Sequence, residues 1–343
     1  MRYLLCLLLL LPLVAVAPPL RRAASQTRPR TVTDAKAPDA KTSAAKTSDE
    51  IIKVDADLVV LDALVMQRET GRVVGGLAKE DFVLEEDGQR QQITHFSQDK
   101  LPLSVLLLID RGGCLDPFGT QVRQAARNAL AQLKPADEVA VMAYHESVNL
   151  LQGFTGDRAA VADAIERVPG HDEEADHCLN RALSEAATYM IRAGNPTGRR
   201  VIVVITGVTS NFDCKGPSGG EVLRDILESG SVVCGVIPRS AGQKLEDGVT
   251  KVATGVGGLF LHTLSLGKLA EETGGEVLGD KPERLEHVFG TLVEHLRTRY
   301  SMGFVPANKK HDGTRRKLKL QLARKDAKKL VVKTRRSYIA PRV

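Results

Sequence analysis

The sequence contains no tryptophan, and eight phenylalanines and five tyrosines make up its whole aromatic content, 4% of 343 residues. Its basic stretches therefore lack interleaved rings on which bases could stack, and nucleic acid is not an expected partner. Catalytic signatures are absent as well. There is no phosphate loop ending in Gly-Lys and no His-Glu-x-x-His pair, so an enzyme is not the leading expectation. Beyond the first seventeen residues no apolar run is long enough to cross a bilayer. What remains is 43% hydrophobic and 26% charged residues. That mixture is ordinary for a globular protein and excludes collagen, a long coiled coil and a wholly disordered chain.

Charge is unevenly spread. Residues 309–342 carry fourteen Lys and Arg against Asp312 and Asp326, a net of +12 in a chain whose total is +6, which leaves −6 for the remainder. At the other end, Arg2 precedes an apolar run from Leu4 to Ala17 that is too short for a membrane span but suits a signal-peptide core. Pro18 directly after Ala15-Val16-Ala17 disfavours cleavage there, so processing is expected near Ala24 or Ser25, with an uncleaved anchor as the alternative. The expected location is secreted or periplasmic. Residues 25–50 are Ala, Thr, Ser, Lys, Asp and Pro with few large apolar side chains, a composition that cannot offset its ordering entropy and reads as a linker.

Residues 51–100 read as a small β module. Val54, Ala56, Leu58 and Val60 recur with a period of two, Thr70-Gly71 marks a turn, and Asp87-Gly88 is flanked by strand patterns at 82–86 and 91–96, a hairpin signal. From Leu103 the pattern changes to continuous apolar strands alternating with helices. Strands are expected at 103–109, 139–144, 148–154, 201–206 and 232–237. Helices are expected near 122–133, after an Asp116-Pro117 start, and at 158–168, 178–193, 266–273 and 282–299. Runs buried on both faces and separated by helices imply parallel pairing, hence an α/β doubly wound sheet over residues 101–300. Residues 301–343 form a basic β extension, in which Lys317–Leu322 and Lys329–Lys333 are expected to pair as an edge hairpin with lysines guarding the edge. Weak contact of this tail with an anionic envelope surface is the alternative use of its charge.

In doubly wound sheets function sits at the carboxyl ends of the strands. Three loops should meet there: Asp110 to Pro117, His171 to Leu179 and Gly207 to Glu221. They carry Asp116, His171, Asp172, Glu173, Glu174, Asp176, His177, Asp213 and three cysteines.

A buried strand ending in Asp110, the helix–strand alternation and Arg199-Arg200-Val201-Ile202-Val203-Val204-Ile205-Thr206 resemble a von Willebrand factor type A domain. Glu80-Asp81-Phe82, Glu86-Asp87-Gly88, Leu269 to Gly275, Tyr300 to Pro306 and Asp312-Gly313 resemble, more narrowly, exported bacterial relatives of acidobacterial type. The resemblance implies non-enzymatic binding through a Mg²⁺ held by an Asp-x-Ser-x-Ser loop, a Thr and a second Asp. Matched position by position, Asp110 is kept, Gly112 and Cys114 replace the two serines, His177 replaces the threonine and Gly207 the second aspartate. One oxygen ligand in five does not hold a strongly hydrated ion, so metal-dependent adhesion is expected to be lost and no cofactor is expected. The face itself, with Asp110, Gly112, Cys114, His177 and Gly207, is expected to meet a protein partner. Oligomeric state is not indicated.

Four cysteines lie beyond the signal segment and allow three pairings that sequence does not choose among. The resemblance places Cys114 and Cys178 on loops that share one metal in such domains, which favours a bridge between them; Cys234 fits a core thiol. The alternative function is an extracytoplasmic zinc or thiol enzyme built from Asp110, Cys114 and His177, with His171, Asp176 or Cys178 as added ligands.

Overall fold

The computed structural model describes residues 58–98, 100–111, 115, 118–168, 177–207, 214–239 and 265–342. In chain order the first strands are β1 (Val59–Gln67), β2 (Phe82–Glu86), β3 (Gln89–Gln91) and β4 (Ile93–Ser97). The α/β region follows as β5 (Leu103–Asp110), α1 (Gly119–Leu130), β6 (Glu138–Tyr144), β7 (Val148–Thr155), α2 (Arg158–Glu166), α3 (Leu179–Tyr189), β8 (Arg199–Ile205), α4 (Gly219–Glu228), β9 (Val232–Pro238), α5 (Leu266–Thr273), β10 (Val277–Asp280) and α6 (Leu285–Arg297). The chain closes with β11 (Tyr300–Phe304), β12 (Arg315–Leu322), β13 (Leu330–Thr334) and β14 (Ser337–Ile339). Among the described residues no helix is long and apolar enough to cross a membrane.

Six of these strands form one sheet in the order β10-β9-β8-β5-β6-β7, parallel throughout except for β7 at the edge. Every residue of β5 is buried, as a run apolar at all positions but Ser104 and the terminal Asp110 requires of a strand covered on both faces. Alternation along β5 sorts its side chains. Leu103, Val105, Leu107 and Ile109 pack with α1, α2 and α6, while Leu106 and Leu108 pack with α3, α4 and α5. Asp110 shares the parity of the second set and so faces α3. The mostly parallel, helix-flanked α/β sheet is the fold class expected from sequence. The Asp116-Pro117 start of α1 lies outside the described residues.

Local turn chemistry sets the connections. Asp87 and Gly88 both take positive φ, 47° and 83°, as a two-residue hairpin turn of matching twist requires, and β2 pairs with β3 across them. Helix α5 ends at Gly274 with φ of 80°, and a side chain on Gly275 would place its Cβ 1.8 Å from the Val233 carbonyl oxygen. The two glycines thus stop the helix and let the chain pass against β9.

Strands from both ends of the chain make a second body. One four-stranded sheet runs β13-β1-β11-β4 and another runs β14-β12-β2-β3, with Leu61, Phe82, Leu84, Tyr300, Phe304 and Tyr338 among the side chains buried together. The expected carboxyl-terminal hairpin does not form. β12 pairs with β2 and β14, and β13 pairs with β1. A lone hairpin is marginal in water, whereas each strand gains a partner and a shared core by joining the amino-terminal strands. Lys317 and Lys319 accordingly project from an internal strand rather than guarding an edge. The body attaches at the amino ends of the parallel strands. There the buried Arg199 at the start of β8 lies 3.4 Å from Asp62 and donates to the Arg299 carbonyl oxygen at 2.9 Å and Ser301 Oγ at 3.1 Å.

Candidate functional site

Asp110 ends β5 at the opposite, carboxyl edge of the sheet. Register places it beside Tyr144 at the end of β6, and the Ile109–Ile205 pairing places it beside Thr206 just past β8. Its carboxylate is fully buried. Oδ2 accepts from Thr206 Oγ1 at 2.6 Å and from the Tyr144 hydroxyl at 3.2 Å, and His177 Nδ1 lies 3.0 Å from the same oxygen and 3.1 Å from Oδ1. A carboxylate taken out of water needs such donors, since burial without them costs several kcal/mol. His177 stands just before Cys178, the residue that precedes α3, and reaches the carboxylate at the position where the resemblance put a threonine. The sequence-derived pair Asp110 and His177 is therefore in contact. Thr206 and Tyr144 were not anticipated as its partners. Their signal was available only as register, because each stands at the end of a strand flanking β5.

The surrounding loops are tied together. A disulfide joins Cys178 to Cys214, with Cα atoms 5.3 Å apart. The bridge expected between Cys114 and Cys178 is thereby corrected: the amino end of α3 faces the loop after β8, so Cys178 meets Cys214. Arg181, one turn along α3, repeats this link with its guanidinium, donating to the Glu146 carbonyl oxygen at 2.6 Å and the Lys215 carbonyl oxygen at 2.7 Å. Asn180 donates to the Pro217 carbonyl oxygen at 3.0 Å, and the Cys178 amide donates to the His145 carbonyl oxygen at 3.1 Å. The second loop then ends at Ser218, whose hydroxyl accepts from the Glu221 amide while Glu221 accepts from the Ser218 amide, a capping box that starts α4. Gly207 is exposed beside Thr206. Gly112, Cys114, Asp116, His171 to Asp176 and Asp213 lie outside the described residues. Cys234 is a buried free thiol, and burial pushes it up to about 11, which makes it inert as a nucleophile.

Among the described residues the donors do not fit the Mg²⁺ that the type A resemblance implies. Magnesium requires near-ideal octahedral oxygen coordination and sheds its waters reluctantly. Here the Asp110 carboxylate already accepts two hydroxyl protons and faces an imidazole, and Gly207 offers no side chain. Among the described residues no third His, Cys, Asp or Glu joins Asp110 and His177 in a metal-holding group.

Comparison with known proteins gives the following. Residues 105–209 match the family model for the von Willebrand factor type A domain. No curated protein matches the sequence. Among solved structures, a von Willebrand factor type A protein from Catenulispora acidiphila is 11% identical with a TM-score of 0.44, covering 85% of this chain and 75% of that one. Proximal thread matrix protein 1 from the mussel byssus is 10% identical with a TM-score of 0.42 over 59% of this chain, which spans about half, 49%, of the mussel protein. An aerotolerance-related membrane protein from Bacteroides fragilis is 14% identical with a TM-score of 0.38, covering 56% of this chain and 98% of that one. All three likenesses are remote.

Proposed function

We propose, from the type A domain match over residues 105–209, that this is an exported, non-enzymatic binding protein. It presents the loops around Asp110 to a protein partner without a bridging metal. The observation that carries the reading is the internal use of Asp110, whose carboxylate is buried under Thr206, Tyr144 and His177 instead of facing outward. The linkage of the flanking loops through Cys178–Cys214 and Arg181 supports it further. The described segments at 145–146, 177–181 and 214–217, held to one another in this way, lose less conformational entropy on binding. The disulfide supports the export part, because such bonds persist in oxidising compartments. The zinc or thiol alternative loses one of its added ligands: Cys178 is bonded to Cys214 and has no free thiolate to offer beside His177.

Two readouts on one protein preparation test the proposal. The melting midpoint should not move with Mg²⁺, Mn²⁺ or Zn²⁺ at millimolar levels. A metal at about 100 times its dissociation constant would add about 2.7 kcal/mol and raise the midpoint by several degrees. Partner capture from the exported protein fraction of the source cell should persist in EDTA and fall in the exposed loop variants Glu146→Lys and Lys215→Glu. A metal-raised midpoint, or capture abolished by EDTA, overturns the metal-free reading. Capture untouched by both variants overturns the placement of the face.

A further inference from the structure

Part of the basic carboxyl-terminal segment is paired with acids inside the molecule. Arg315 pairs with Glu272 at 3.1 Å, Arg316 with Glu86 at 3.6 Å, Lys319 with Glu85 at 3.6 Å and Lys333 with Glu276 at 2.7 Å, and Arg336 pairs with Glu271. Three of these pairs, on Glu271, Glu272 and Glu276, cross the junction of the two bodies, and the two on Glu85 and Glu86 lie within the β body. Of the cations outside such pairs, Lys325, Lys328 and Lys329 meet at one end of the β body, while Lys309 and Lys310 stand on a separate loop. The Arg68 amide donates to the Lys329 carbonyl oxygen at 2.8 Å, and its guanidinium donates to the carbonyl oxygens of Lys328 and Leu330. This clamps the turn after β1 onto the Ala327–Lys329 turn. Arg324 holds Asp326 at 2.6 Å and approaches Asp81 at 4.0 Å, which brings Lys325 and Lys79 into the same neighbourhood. Arg72, whose carbonyl oxygen accepts from the Gln67 amide, completes the group.

Arg68, Arg72, Lys79, Lys325, Lys328 and Lys329 are all exposed, against two exposed carboxylates, Glu69 and Glu80, that sit outside the Arg324 pairs. The turns that carry them hold no aromatic side chain, which argues against stacked bases. The Arg68 guanidinium is spent on backbone oxygens, so the outward charge is mainly lysine ammonium, a compact, strongly hydrated point charge that an anionic lipid surface attracts. We propose that this end of the β body rests on an anionic lipid bilayer. Because the body attaches at the amino ends of the parallel strands, the Asp110 face then points away from the lipid. This surface is separate from the loop face, and either reading stands if the other fails.

The test is co-sedimentation with lipid vesicles of the polypeptide from residue 26 onward. That chain carries every described element and all three buried clusters, and it lacks the apolar run that would insert into any bilayer. Vesicles with about 30% phosphatidylglycerol in phosphatidylcholine, in about 25 mM salt, should retain the protein, and about 300 mM salt should release it. Lys328→Glu with Lys329→Glu should lower the partition about thirty-fold or more, since each cation near such a surface contributes roughly a factor of five. Lys309→Glu with Lys310→Glu, an equal change in net charge on the far loop, should leave it within about twofold. Equal losses in the two double variants would reduce the effect to net charge and overturn the proposal. So would equal retention by pure phosphatidylcholine, no retention at low salt, or tighter binding to a single-stranded oligonucleotide than to the vesicles.

Discussion

Glu276 holds the two bodies together, and Glu276→Gln measures how strongly. Its carboxylate is 2% exposed, at the start of β10. One oxygen accepts from His295 Nδ1 at 2.8 Å on α6 and the other from Lys333 Nζ at 2.7 Å on β13. Burial alone would raise its pKa, but the hydrogen bond from His295 and the Lys333 charge outweigh it and hold Glu276 at about 2, against an ordinary 4.5. A difference of about 2.5 units at 1.36 kcal/mol each gives about 3 kcal/mol at neutral pH. Because the folded pKa is the lower one, this stabilisation is complete above about pH 4.5 and disappears as pH falls through about 2. Urea unfolding of wild type and Glu276→Gln at about pH 7, 5, 3.5 and 2.5 should show a gap of about 3 kcal/mol that narrows steadily below pH 4.5. A gap under about 1 kcal/mol at pH 7, or one that stays constant with pH, would refute the argument that this ionised carboxylate couples the bodies.

Two further outcomes follow from the geometry. Closing a loop of 36 residues, the Cys178–Cys214 bridge should contribute about 4 kcal/mol by restricting the unfolded chain. Thermal melting of Cys178→Ser with Cys214→Ser, against wild type with and without reductant, checks this, and an unchanged midpoint would mean that Arg181 and its backbone partners suffice. Gly275→Ala should cost about 3 kcal/mol or more in a chemical denaturation curve, because its Cβ would stand 1.8 Å from the Val233 carbonyl oxygen and β9 cannot shift without disturbing the sheet. Gly230→Ala, where nothing lies within 4 Å and only the φ of 69° is strained, should cost clearly less.

The α/β sheet was legible because its information is local. Leu103–Ile109, polar only at Ser104, and Val201–Ile205 are apolar runs that only a strand covered on both sides sustains, and the first is followed by helical spacing; α4 after the second was not among the expected helices. Asp110 with His177 was legible through the position-by-position match, since both residues flank elements whose ends are marked in sequence. Thr206 and Tyr144 were not, because a hydroxyl at the end of one strand becomes a donor to Asp110 only through lateral alignment with β5. The Cys214 partner of Cys178 depends in the same way on how two loops pass in space. The pairing of β1 with β11 and β13, and of β2 with β12, spans more than 200 residues, as in Val59 with Phe304 and Phe82 with Leu322. No periodicity within either segment encodes it, and the alternation of Lys317–Leu322 fits a hairpin equally well.

Topologically, residues 103–297 are an insertion between β4 and β11 of a body whose halves come from opposite ends of the described chain. During synthesis the inserted sheet has all its described strands and helices in hand before β11 to β14 emerge, so it can fold while β1 still lacks both its partners and β2 has only β3. Losing the last thirty residues would strip β1 of β13 on one flank and expose Leu61 and Leu84. A tension applied between residues 58 and 342 would be borne by those same pairings, leaving the inserted sheet, and the Asp110 loops with it, under no load until the outer body had come apart.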